Sequence, residues 1–139
     1  AVEGMSHCGF IFKIQDQYQV IHTISKSISG IDGIQMNTLE EFINEAKQNR
    51  ICIIRYHKEL NSAAMKKRCL VLLKQKTPFD NDFNLNDSSE LYCSELLRKV
   101  YLEQSEPDFF KLRKIAGVEV IDFSTFFDTK LFTPIYKNY

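Results

Sequence analysis

The sequence has no excess of either charge: Lys+Arg and Asp+Glu each number 18 in 139 residues. Net charge therefore gives no reason to expect a nucleic-acid partner or an anionic membrane surface. Long apolar runs are missing too, and none reaches the ~20 residues needed to cross a bilayer. The opening AVEGMSH has neither a basic start nor a long apolar stretch, so no signal peptide is read there. A leader already removed would leave the same picture, and the compartment stays open. No repeat or low-complexity segment occurs. The four cysteines, Cys8, Cys52, Cys69 and Cys93, contain no CxxC pair, and no Cys/His group has zinc-finger spacing. Neither a metal nor an organic cofactor is expected.

What is present is enough apolar residue, 44%, to bury one core in a single domain over 1–139. Residues 8–14, CGFIFKI, read as a strand, QDQ as a polar break, and residues 18–24, YQVIHTI, as a second strand, together a hairpin. SKSISGIDG reads as a loop broken by Gly30 and Gly33. Thr38-Leu39-Glu40-Glu41 is a capping box opening a helix to about Gln48 that buries Leu39, Phe42, Ile43 and Ala46. ICIIRY is a third strand, apolar enough to lie centrally. Asn61 or Ser62 caps a helix through Leu73. Lys76 to Ser89 is a turn-rich loop. A helix then begins between Ser89 and Cys93 and runs to about Glu103, with Leu96, Leu97, Val100 and Tyr101 at helical spacing. GVEVIDF holds a short strand, FSTFFDTK a short helix, and LFTPIY a terminal extended piece. This order indicates an α+β fold, a small antiparallel sheet with segregated helices.

The stretch SELYCSELLRKVY singles out Cys93. Most free cysteines are small buried hydrophobes, and Cys8, Cys52 and Cys69 read that way. A thiol at a helix start differs, because the helix's positive end lowers its pKa. A nucleophilic thiol also needs a base to take its proton and a polar group to orient that base. His7 and His22 are the candidates. A hairpin turn at Asp16-Gln17 puts them on one face but roughly 13 Å apart. A turn centred on Ile14-Gln15 sets them directly opposite, and a bulge gives something between.

SHCGFIF, then VIHT, then TPFD and LYCSELL downstream, resemble the permuted papain-like cysteine hydrolases of the YiiX/YebB type, relatives of the NlpC-type cell-wall peptidases. In those proteins an SHxG strand comes first and a YCSEL helix last, the order found here from Met5 to Tyr101. The resemblance implies a circularly permuted, NlpC-like α+β fold in a bacterial protein. Cys93 would be the nucleophile, His7 the base and His22 the orienting residue, with Phe79 and Asp80 anchoring the loop before the cysteine helix. It also implies an amide or ester substrate, cell-wall peptide first and a lipid or acylated small molecule next. The family's usual first strand is expected to be missing, with Ala1 to Met5 standing for the end of the helix that follows it.

Blander readings stand beside these. Cys93 could be a buried helix thiol, His7 a strand-edge residue and His22 a solvent-facing one. His57 reads as an exposed loop residue, Glu95 as the carboxylate of the helix's first turn, and the phenylalanines from Phe109 to Phe132 as core. The alternative function is a non-catalytic domain of the same fold that binds lipid or peptide.

Overall fold

The computed structural model describes residues 5–46, 50–87 and 89–138. Strands β1 (Phe10–Ile14) and β2 (Gln17–Ile24) form the expected hairpin. Ile14 pairs with Gln17, so Gln15 and Asp16 make the turn. Both have positive φ, 52° and 63°, the left-handed pair whose twist matches a two-residue hairpin. This register falls between the two that the sequence allowed. After the short helix α1 (Lys26–Ser29) comes β3 (Gly33–Thr38), which pairs with β2 to give a sheet of order β1-β2-β3. The loop read over SKSISGIDG thus contains a helical turn, and the strand after it carried no reading. Its signal was the alternation Ile34-Gln35-Met36-Asn37, short and merging into the capping box.

That box forms as expected. The Glu41 N–H donates to Thr38 Oγ1 (3.1 Å), and the Thr38 N–H donates to Glu41 Oε1 (2.8 Å), opening α2 (Leu39–Glu45). Gln48, where the helix was expected to end, lies outside the described residues. Strand β4 (Ile51–Tyr56) is not the central strand anticipated. It pairs with β7 (Phe132–Asn138) in a separate two-stranded sheet, and of its residues Ile51 alone is buried. The C-terminal segment supplies its partner, so β4 has no need of the hairpin's edge. Helix α3 (Ser62–Lys74) is capped by Asn61, whose Oδ1 accepts the Ala64 N–H at 3.0 Å. Helix α4 spans Cys93–Glu103. Strand β6 (Val118–Ile121) lies in GVEVIDF as read, and its partner β5 (Leu112–Ile115) adds a hairpin that the sequence did not signal. A 3₁₀ helix covers Phe123–Phe127. No helix among the described residues is long and apolar enough to cross a membrane.

The core lies between the three-stranded sheet and α4. Phe10, Ile21 and Ile34 meet Leu96, Leu97, Val100 and Tyr101, and each such side chain contributes roughly 1.5–3 kcal/mol on burial. The phenylalanines are core as read: Phe110, Phe126 and Phe132 are buried, and Phe109 stacks on Phe110 with centroids 4.6 Å apart. Strand β2 is covered on both faces, so Val20, Ile21, His22 and Thr23 are all buried. Thr23 donates to the Leu91 carbonyl (3.1 Å) on the α4 side, while the ring of Phe42 in α2 lies against His22 on the other.

The loop before α4 is held by Asp80, which is 1% exposed. Its carboxylate accepts the backbone N–H groups of Asp82 (3.0 Å) and Asn84 (2.7 Å). Its own N–H donates to the Leu91 carbonyl, and the Leu91 N–H donates to Pro78. The loop is thereby tied to the residues that lead into Cys93. Asp80→Ala strands two backbone donors and should lower the unfolding free energy by about 2–3 kcal/mol, as measured by urea denaturation. An unchanged midpoint would contradict the anchoring role.

Candidate active site

Cys93 is the first residue of α4. Two buried side chains fix this helix start. The Glu95 carboxylate accepts the Tyr92 N–H (3.2 Å), and Tyr92 Oη accepts the Ile121 N–H of β6 (3.3 Å). Glu95 is therefore the first-turn carboxylate, and burial raises its pKa to about 7. The Cys93 thiol is half-buried and lies 3.9 Å from the Ser6 carbonyl oxygen, in the segment just before β1. The N-terminal end of α4 thus lies against the segment that leads into β1.

His7 and His22 meet through the hairpin register. Phe10 pairs with Ile21; one step further, Gly9 stands across from His22, and His7 is two residues beyond on the same face. The diagonal is closed by a hydrogen bond, His7 Nε2 to His22 Nδ1, 2.8 Å. Gly9 makes this possible. A Cβ there would lie 2.9 Å from His22 Cβ, from Val20 Cγ1 and from the Ile21 carbonyl oxygen, closer than such atoms pack. The glycine of the SHCG stretch is the space into which His22 fits.

The far nitrogen of His22, Nε2, is 2.6 Å from Asn37 Oδ1 on β3. Asn37 has no motif of its own in the sequence; it is placed by β3, whose apolar alternation is short. Phe42 packs against both imidazoles, with centroids 5.7 Å from His7 and 5.1 Å from His22. His57 is exposed and its backbone N–H and ring bond the Leu131 carbonyl. It takes no part in this cluster.

The electrostatics separate the four thiols. The Cys93 pKa is held well below an ordinary thiol's, chiefly by a hydrogen bond from the Cys8 side chain and also by His7, against the opposing effect of burial. Cys8 is pushed well above the usual range by burial and by the Cys93 sulfur beside it. Burial raises Cys52, and Cys69 to about 12. Burial lowers His22, which favours its neutral form. Cys8, read from sequence as a plain structural thiol, is thus a neighbour of the nucleophile candidate.

A cysteine at a helix start, set against a histidine that precedes it in the chain on an antiparallel sheet, is a papain-like arrangement in permuted order. Residues 3–122 match the family described as permuted papain-like amidase enzyme, YaeF/YiiX, C92 family, and the chain belongs to that family. The crystal structure of the metalloprotein YiiX from Escherichia coli O157:H7 shares the fold, with a TM-score of 0.74 at 16% identity over 96% of this chain and 83% of that one. Among curated proteins none is significantly similar in sequence. Among the described residues one group of three carboxylates brings ligating atoms within 4.8 Å, that of Asp80, Asp82 and Glu90. It lies in the loop that Asp80 anchors.

Thiol reactivity tests this geometry. An ordinary thiol of pKa ~8.5 is only ~3% thiolate at pH 7. A lowered pKa raises the thiolate fraction at that pH, although lower basicity costs some nucleophilicity. Cys93 should be alkylated by iodoacetamide at pH 7 about tenfold or more faster than Cys52 and Cys69, as peptide mass mapping after short labelling would show. Cys8→Ala and Gly9→Ala should each slow it, the first by removing a donor to the thiolate, the second by displacing His22. Equal labelling of all thiols, or labelling only after denaturation, would contradict the assignment.

Proposed function

We propose that this member of the amidase family is a thiol-dependent hydrolase in which Cys93, His7 and His22 carry the reaction. The observation that supports it most is the convergence of the lowered Cys93 thiol with His7, which is itself hydrogen-bonded to His22. The Cys93 thiol gives its proton to His7, and the sulfur attacks the substrate carbonyl carbon. The tetrahedral oxyanion is held by first-turn N–H groups of α4, which lack intrahelical acceptors. As it collapses, the C–N bond breaks and His7 delivers its proton to the leaving amine. Water, deprotonated by His7, then attacks the acyl-cysteine and regenerates the thiol. His22 holds the His7 ring in orientation.

A peptide-type amide is the substrate class the family supports, and a cell-wall peptide is the first choice; an acyl ester of a lipid would react by the same steps. The test uses a panel of peptide amides and acyl esters, with product read by mass spectrometry. Cys93→Ala should abolish turnover. His7→Ala should reduce it by about 10²–10⁴-fold, the range of a lost general base, and His22→Ala by less. His22→Gln should recover part of that loss, because an amide can supply the orienting hydrogen bond, and His57→Ala should change nothing. Turnover unaltered in Cys93→Ala would refute the reading. Binding of panel members without hydrolysis by any variant, wild type included, would favour a non-catalytic domain.

A further inference from the structure

His22 orients His7 only if its own proton sits on the correct nitrogen, and β3 supplies the group that decides this. Asn37 Oδ1 lies 2.6 Å from His22 Nε2. A carbonyl oxygen accepts and cannot donate, so the shared proton belongs to Nε2. Neutral His22 then has a lone pair on Nδ1, which accepts the Nε2–H of His7 across 2.8 Å. With its own proton fixed on Nε2, neutral His7 presents an unprotonated Nδ1 as the base for Cys93. In the other His22 tautomer Nδ1–H would point at His7 Nε2. His7 would have to carry its proton on Nδ1, where it could no longer take the thiol's. The logic is that of a buried acceptor selecting a histidine tautomer, moved one residue further from the nucleophile.

The sheet provides for this role. His22 pairs with Gln35 and Val20 with Asn37, so Asn37 is the diagonal neighbour of His22 on the same face. The directly paired Gln35 does not compete. Its amide donates to Ile31 O (2.7 Å), Ser29 Oγ (3.1 Å) and Gly33 O (3.3 Å), turned towards the loop before β3. Phe42 lies against the His22 ring, and His22 is 2% exposed, leaving little room for water to replace the amide.

We infer that Asn37 is a positioning residue that selects the Nε2–H tautomer of His22 and thereby leaves Nδ1 of His7 free to act as the base. This rests on the proposed Cys93–His7–His22 chemistry and adds a fourth member to it. The direct test is nitrogen-15 NMR of the histidine side chains in the neutral protein, with the alkylation rate of Cys93 at pH 7 as the second readout. In wild type, His22 Nε2 should show the signature of a protonated nitrogen and Nδ1 that of an unprotonated one. Asn37→Leu keeps the volume and removes the acceptor; His22 should then populate both tautomers and the alkylation rate fall by about fivefold, the worth of one hydrogen bond. Asn37→Asp retains an acceptor and should keep the Nε2–H signature and most of the rate. A wild-type His22 protonated on Nδ1, or an Asn37→Leu protein with wild-type tautomer and rate, would overturn the inference. The wild-type spectrum decides even if Asn37→Leu fails to fold. Fast Cys93 alkylation that survives His7→Ala would instead overturn the underlying catalytic reading.

Discussion

The site depends on a missing side chain. Gly9 leaves open the space across the hairpin from His22, and a Cβ there would lie 2.9 Å from each of three atoms of β2. With that space open, His22 reaches diagonally to His7 on one side and to Asn37 on the other. Three residues spaced by 15 positions, His7, His22 and Asn37, thus form one hydrogen-bonded line from the segment before β1 across β2 to β3. The line is oriented because its terminal member is an acceptor. Polarity set on β3 is passed through two imidazoles to the helix start where Cys93 lies.

The second organising feature is how firmly that helix start is placed. Backbone bonds tie Pro78, Asp80 and Leu91 together, Thr23 of β2 holds the Leu91 carbonyl, and Tyr92 and Glu95 fix the first turn. The Thr23, Tyr92 and Glu95 contacts are buried, and each of these bonds restrains a residue within a few positions of Cys93. A thiol and the histidine that takes its proton need such restraint, because the transfer weakens quickly as the two groups move apart or water comes between them. The Cys8 thiol works in the same sense. By keeping its own proton it remains a donor to the Cys93 sulfur.

Much of this was legible in the sequence for physical reasons. The β1–β2 hairpin, the Thr38–Glu41 box and the Cys93 start of α4 are set by local signals: apolar runs around a polar turn, a reciprocal cap, and helical spacing after a polar stretch. The family resemblance paired His7 with Cys93 across 86 residues, which no local rule could do. Two things were hidden. Strand β3 has only Ile34 and Met36 as apolar alternation and runs directly into a capping box, so neither it nor Asn37 carries a local signal. The place of β4 differs from the central one its apolar hexamer suggests, because its pairing with β7 is a long-range choice made by the C-terminal segment. The hairpin register was narrowed but not chosen, since parity alone allows several turns and the Gln15-Asp16 turn has no glycine to mark it.

The central claim is that His7 stands beside the Cys93 thiol and lowers its pKa. The ultraviolet absorbance of the thiolate, taken as the difference between wild type and Cys93→Ser across a pH titration, measures this without any substrate. The account requires the Cys93 signal to appear well below the ~8.5 of an ordinary thiol and to move up towards that value in His7→Ala. A Cys93 signal that rises only at or above ~8.5 in the wild type, unaltered by loss of His7, would contradict it.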